Sequence, residues 1–254
     1  MHFYWITVSC ILLSLLVGCG GGGGESSTSA NSTPTAANEM RITVEKWSGN
    51  KNYPNQGYVS LEICEPSTSN CQTIDHVLVD TGSYGLRLMS AAVNLSLPQI
   101  TISDNQLAEC THFVSGYTWG PVVRASVTLG SQVVPTLPIQ LINASYAQIP
   151  AACSSGGTQI NTASALGANG ILGIGSFQHD CPACATQARS GHYYICSSLP
   201  CTSTAVPLAS QVANPVAALS SNNNGVVINL PSVSPTGQAS ASGLLVFGIG
   251  TSSN

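Results

Sequence analysis

Residues His76-Val77-Leu78-Val79 lead as strand-forming sequence straight into Asp80-Thr81-Gly82-Ser83. A strand that ends this way lifts one carboxylate to its tip and turns sharply beneath it. Glycine permits the turn, and flanking hydroxyl and backbone N–H groups can hydrogen-bond the carboxylate. The nearly continuous apolar run Val77-Leu78-Val79 predicts burial on both faces.

The remaining sequence favours the same kind of element. Gly, Ser, Thr, Asn and Pro are abundant, while Lys, Glu and Arg are scarce, so short strands joined by turns are expected rather than long helices. Ile42, Val44 and Trp47 start a first strand. Val59, Leu61 and Ile63 alternate with Ser60 and Glu62, and the chain returns from Ile74 to Val79. Gly85, Leu86, Leu88 and Met89 continue past the Asp80 turn. Phe113 to Val122 reads as a hairpin. Ala125 to Leu129 and Leu137 to Ile142 form a pair joined through Gly130. In Gly170-Ile171-Leu172-Gly173-Ile174-Gly175, glycines bracket bulky aliphatics, which suits a chain passing tightly against a neighbouring strand. Gln211 to Leu219 is the expected helix, with Pro215 in its first turn. Gly225 to Leu230 and Gly243 to Gly248 are the last strands. Lys and Arg number only 6 in 254 residues, too few to neutralise a phosphate backbone, so no nucleic-acid partner is expected.

The N-terminus reads as a processing and tethering segment. Ile6 to Val17 is mostly apolar but shorter than the about 20 residues a membrane span needs. Residues 1–18 are expected to be a signal peptide. Residues 19–39, beginning Cys19-Gly20 and rich in Gly, Ser, Thr, Asn and Ala, are expected to be a flexible linker. Residues 40–254 are expected to form one globular body, with a Cys-rich insertion at 176–204.

Eight cysteines remain beyond Cys10 and Cys19, an even number that in an exported protein predicts four disulfides. Cys64 and Cys71 flank a turn and are expected to staple a hairpin. Cys110 and Cys153 are the natural long-range pair. Cys181, Cys184, Cys196 and Cys201 form a local cluster whose connectivity stays open. The Cys181-Pro182-Ala183-Cys184 spacing admits redox or, with His179 and His192, zinc chemistry. An oxidising compartment favours structural disulfides, and neither metal nor cofactor is expected. Asp75 and Asp180 are expected to be solvated, and His76, His112, His179 and His192 to be surface or satisfied polar residues. Nothing around Ser83 points to a serine nucleophile.

The order of these segments resembles the N-terminal lobe of a pepsin-like aspartic protease. Asp80-Thr81-Gly82-Ser83 matches the family's catalytic turn, Tyr117 its flap tyrosine, and Gly170-Ile171-Leu172-Gly173 its downstream hydrophobic–Gly element. The resemblance covers residues 40 to 254. It implies an all-β fold, a single lobe built as a closed or partly open β-barrel with one or two short helices. It also implies catalytic duty for Asp80, support from Thr81, Gly82 and Ser83, flap or substrate contact by Tyr117 and Trp119, and a polypeptide substrate. Tyr84 stands where the family usually has a small polar residue, and Arg87 where it often has a Trp. Leu16-Val17-Gly18-Cys19 resembles the lipobox of bacterial lipoproteins, which implies lipidation of Cys19 and a bilayer anchor. Gly20 in place of Asp points to the outer rather than the inner membrane. The lipidated, Cys-rich form is also similar to an uncharacterised family of bacterial lipoproteins.

Peptide hydrolysis by this route needs two carboxyls on one water. The ionised one takes a proton from the water, and the protonated one serves the carbonyl and the leaving amine. The sequence holds one Asp-Thr-Gly-Ser turn and no second Asp-Thr/Ser-Gly. The partner carboxyl is therefore expected from a second lobe or a second copy of the chain. Without one, the expected role is a non-catalytic surface module that binds protein or envelope components.

Overall fold

The structure, a computed structural model, describes residues 33–34, 36–47, 53–143, 145–196 and 200–251. Its strands are β1 (Glu39–Glu45), β2 (Gln56–Cys64), β3 (Cys71–Asp80), β4 (Tyr84–Met89), β5 (Thr101–Ile102), β6 (Asn105–Phe113) and β7 (Gly116–Leu129). After these come β8 (Gln132–Ile142), β9 (Gly170–Ile174), β10 (Tyr193–Ile195), β11 (Thr202–Ser203), β12 (Val226–Asn229) and β13 (Ser240–Phe247). Two single-turn helices, α1 (Ala151–Ser154) and α2 (Ala163–Leu166), join them. Among the described residues no helix is long and apolar enough to cross a membrane.

Six strands close into a barrel. β2 pairs with β3, β3 with β9, β9 with β4, β4 with β8, β8 with β7, and β7 returns to β2. Closure leaves these strands without free edges, and their inward residues form one core. Alternation in the sequence becomes alternation in space. Val59, Leu61 and Ile63 point inward beside Val123, Ala125, Val127 and Leu129, while Ser60 and Glu62 face out. β1, β13 and β12 extend the barrel on the β2 side. β6, β10 and β11 extend it beyond the first half of β7. The all-β barrel with two short helices expected from the sequence is the one observed.

β9 decides the local geometry. It runs parallel to β3 and antiparallel to β4, although β3 and β4 are consecutive in the chain. The turn between them therefore wraps around the end of β9, where Gly175 N donates to Ser83 O at 2.8 Å. A Cβ on Gly173 would lie 2.6 Å from Tyr84 N and 2.8 Å from Ser83 C, and one on Gly170 would lie 2.6 Å from Arg87 O. Backbone atoms cannot yield as a side-chain tip can. These glycines are what lets the strand pass between its neighbours.

Four disulfides bind the described body: Cys64–Cys71, Cys110–Cys153, Cys181–Cys184 and Cys196–Cys201. The first two are as expected, and the last two resolve the open cluster. The Cys181-Pro182-Ala183-Cys184 motif is thus closed on itself.

Three expectations need correction. Gln211 to Leu219 is not a helix. Asn214 Oδ1 accepts from Val216 N at 3.0 Å and starts a single turn, which ends with Leu219 N donating to Val216 O at 3.1 Å. Of the run Val77-Leu78-Val79 only Val77 is buried; Leu78, which lines a hollow at the strand tip, and Val79 are partly exposed. The body also begins before residue 40. Asn38 is buried, donates through Nδ2 to Phe247 O at 2.7 Å, and accepts from Phe247 N at 2.8 Å. The expected signal peptide, Cys19 and most of the expected linker lie outside the described residues.

Gly173→Ala forces a methyl into backbone. It is expected to cost at least about 1–3 kcal/mol, the range for overpacking a tight interior. A lower urea-denaturation midpoint at unchanged slope, whose shift multiplied by the slope gives a loss of that size, checks it.

Candidate active site

The Asp80 carboxylate is held by its own turn. Gly82 N donates to Oδ1 at 2.8 Å, and Ser83 Oγ donates to Oδ2 at 2.6 Å. Ser83 is in turn fixed by the Gly175 contact to its carbonyl. Thr81 and Gly82 are exposed at the turn, and Asp80 is partly buried. Asp80 pairs in register with Gly173 of β9, so the crossing strands set its height.

The β6–β7 hairpin stands over this turn, and hollows open on either side of Asp80. One, of about 130 Å³, is lined mainly by apolar groups, among them Leu78, Phe113, Ile160, Leu166 and Ile171. The other, of about 580 Å³, holds Ser83, Arg87, His112, Asp180 and His192 beside Asp80. Phe113 and Ser115 line both, and Val114 at the hairpin tip is fully exposed. A larger groove of about 740 Å³ runs along β1 and β2 and contains no residue of the Asp80 turn.

Tyr117 and Trp119 do not take the places the resemblance implies. Neither lines either hollow at Asp80. Both are buried, in a cluster with Cys110, Cys153, Tyr194 and Cys201. Trp119 meets Tyr194 edge-on, with ring centroids 5.7 Å apart. The cause is the Cys-rich segment, whose β10 pairs with β6 and covers that part of the hairpin. The cleft-facing positions fall instead to Thr111, His112, Phe113, Val114 and Ser115.

Beneath the larger hollow lies a buried charge network. Arg87 from β4 is 0% exposed. Its Nη2 reaches Glu109 Oε1 at 2.6 Å and its Nε reaches Glu109 Oε2 at 3.2 Å. Nε also donates to Thr111 Oγ1 at 2.9 Å, and Nη1 to Tyr84 O at 2.8 Å. Nη2 lies 3.5 Å from Asp180 Oδ2. Tyr193 OH donates to Asp180 Oδ1 at 2.6 Å and accepts from Val212 N at 2.8 Å. One guanidinium thus ties the Asp80 turn, the hairpin and the Cys-rich segment together. Asp180, expected to be solvated, is mostly buried, with 11% of its side chain exposed.

Two carboxyls share one cation here. Burial pushes the Glu109 carboxyl up, but the close Arg87 charge and hydrogen bonds outweigh it and leave the group below its ordinary value. Asp180 goes the other way. Burial first, then the Glu109 charge, raises it well above the carboxylate range, because Arg87 is farther away and already occupied. Burial likewise raises the Tyr193 hydroxyl, helped by the Asp180 charge. His192 is lowered by burial and by His112.

The sequence reading passed over Glu109, although an acid inside Leu107-Ala108-Glu109-Cys110 was a signal in a chain with so few charges. Asp75 is exposed as expected and contacts His76 and Asn169. His76 also meets Glu45 at 3.3 Å, and His112 Nε2 lies 2.9 Å from Cys153 O. The His179 Nδ1 is buried without a partner. The two histidine-bearing clusters close enough to share a metal, Cys110–His112–Cys153 and Cys181–Cys184–His192, are built on cysteines already joined to each other.

Residues 34–254 match the family described as "Protein of unknown function (DUF3443)", and the chain belongs to it. No curated protein matches the chain. Among solved structures it is similar to the aspartic proteinase from Irpex lacteus, at 19% identity and a TM-score of 0.42 over 86% of this chain. The chain spans about half, 49%, of that structure's length.

Two outcomes follow from the network. Arg87→Met leaves Glu109 buried without its cation and is expected to lower stability by about 3–5 kcal/mol in equilibrium unfolding. The pH dependence has a definite sign. Asp180 holds its proton more tightly folded than unfolded, so its contribution is complete below the unfolded value of about 3.9 and is lost as pH rises through the raised folded value. The Asp180 contribution is isolated as the difference between the wild type and Asp180→Asn, and the stability of the wild type relative to that variant is expected to fall across that window in melting curves taken from pH 3.5 upward.

Proposed function

We propose that Asp80 is one carboxyl of a two-carboxyl, peptide-hydrolysing centre, and that the chain is an aspartic-type endopeptidase lobe acting on polypeptides. One observation carries this reading. A carboxylate held by Gly82 N and Ser83 Oγ stands at the mouth of a crossed-strand barrel, between two hollows and under a hairpin. A fixed carboxylate in an open cleft can take a proton from a bound water, and a polypeptide laid across it has room for side chains on both sides.

Export fits the same reading. Four disulfides among the described residues support an oxidising compartment. With Cys19 lipidated, the body would stand off the outer membrane of a bacterial envelope on its linker and meet polypeptides there. The rival reading is a surface module that binds and does no chemistry. It draws on the fact that both Asp80 oxygens already accept a bond from their own turn, as a purely structural cap would.

Asp80→Asn decides between them. The purified chain is expected to cleave denatured protein at pH 4–6. The substitution is expected to lower that rate by about 10²–10⁴-fold without shifting the melting temperature appreciably. Equal cleavage by both proteins, or none by either, returns the binding module.

A further inference from the structure

We propose that Asp180 is the proton-donating partner of Asp80, so that both carboxyls of the centre come from this one chain. The inference rests on Asp80 being a hydrolytic carboxyl. Asp180 and Asp80 line the same cavity of about 580 Å³, together with Ser83, Arg87, His112 and His192. Glu109 is fully buried and does not reach that space.

A general acid needs a proton at working pH and a stabilised anion once the proton has left. Asp180 has both. Burial, the Glu109 charge and a hydrogen bond to Glu109 favour its protonated form. Arg87 at 3.5 Å and the Tyr193 hydroxyl at 2.6 Å are placed to receive the negative charge that follows. The charged and titratable groups around it are Arg87 from β4, Glu109 and His112 from β6, Tyr193 from β10, the neighbouring His192 and His179, and Asp80 of the same cavity. Arg87 cannot itself serve as the acid, because Glu109 already neutralises it and it does not give up its proton in this range.

The step balances without any other reactant. Asp80 takes a proton from water as the water oxygen bonds to the peptide carbonyl carbon. The tetrahedral adduct then breaks its C–N bond while Asp180 delivers its proton to the departing nitrogen. A carboxylic acid and an amine leave. Asp80 is protonated and Asp180 ionised, and solvent returns the proton from one to the other.

The test uses the full chain over a hundredfold range of concentration and from pH 3 to 8. The substrates are a reduced, alkylated protein and an internally quenched peptide. The rate per chain is expected to be constant on dilution. Asp180→Asn, which keeps an acceptor for Tyr193, is expected to lower kcat by about 10²–10⁴-fold with KM within about twofold. Tyr193→Phe removes a hydrogen bond that favours the Asp180 anion. It is expected to move the alkaline limb of the pH–rate profile upward by about half a unit, a shift that a merely structural tyrosine would not produce. If Asp80→Asn is dead while Asp180→Asn is as active as the wild type, or if the rate per chain climbs with concentration, the acid comes from elsewhere. Asp180 is then overturned and Asp80 stands. If the wild type cleaves nothing, or Asp80→Asn cleaves as well as it does, both readings fall. Should Asp180→Asn lose its native circular dichroism, an unmoved alkaline limb in Tyr193→Phe overturns the proposal on its own.

Discussion

The Asp80 site depends on the passage of β9 between β3 and β4, at a separation that leaves no space for a side chain at Gly173. Because β3 and β4 are joined by only three residues, a strand lying between them forces the connecting turn to arch over its end. That arch places Gly82 N and Ser83 Oγ on the Asp80 carboxylate. Barrel closure and site geometry are therefore one constraint. Relaxing the Gly173 contact would open the barrel seam and release the carboxylate together.

A second constraint is electrostatic. A buried guanidinium facing two carboxyls is stable only if each charge is answered, since an uncompensated buried ion costs several kcal/mol. Glu109 takes the short, two-point contact with Arg87 and stays ionised. At Asp180, at the longer distance, burial and the Glu109 charge outweigh Arg87 and favour the protonated form. The network also joins the Cys-rich segment to the barrel through Tyr193 and Asp180, so that the segment helps form the cavity wall beside Asp80. The same covering buries Tyr117 and Trp119 and takes them away from the cleft.

Much of the architecture was legible in the residues themselves. Val59-Ser60-Leu61-Glu62-Ile63 fixes which face of β2 is buried. Asp80-Thr81-Gly82-Ser83 after an apolar strand defines the turn and its hydrogen bonds, and the glycine spacing of residues 170–175 marks the close passage. These are local patterns, and local sterics enforce them. The failures were also physical. Gln211 to Leu219 has an apolar pattern compatible with a helix, but Asn214 caps a single turn and the chain leaves it at once. Asp180 looks like a solvent residue because nothing near it in sequence is charged. Its partners are 93 residues away at Arg87 and 71 residues away at Glu109.

By itself the sequence determined the all-β class, the turn at Asp80 and the Cys64–Cys71 and Cys110–Cys153 disulfides, because strand periodicity, glycine geometry and cysteine spacing act within a few residues or across the whole composition. Only the tertiary structure decided which hairpin residues face the cleft, how the four clustered cysteines pair, and that a carboxyl from the Cys-rich segment shares Asp80's cavity. Those outcomes depend on burial and on distances between segments far apart in the chain, and burial together with the Glu109 charge raises the Asp180 carboxyl above its ordinary value.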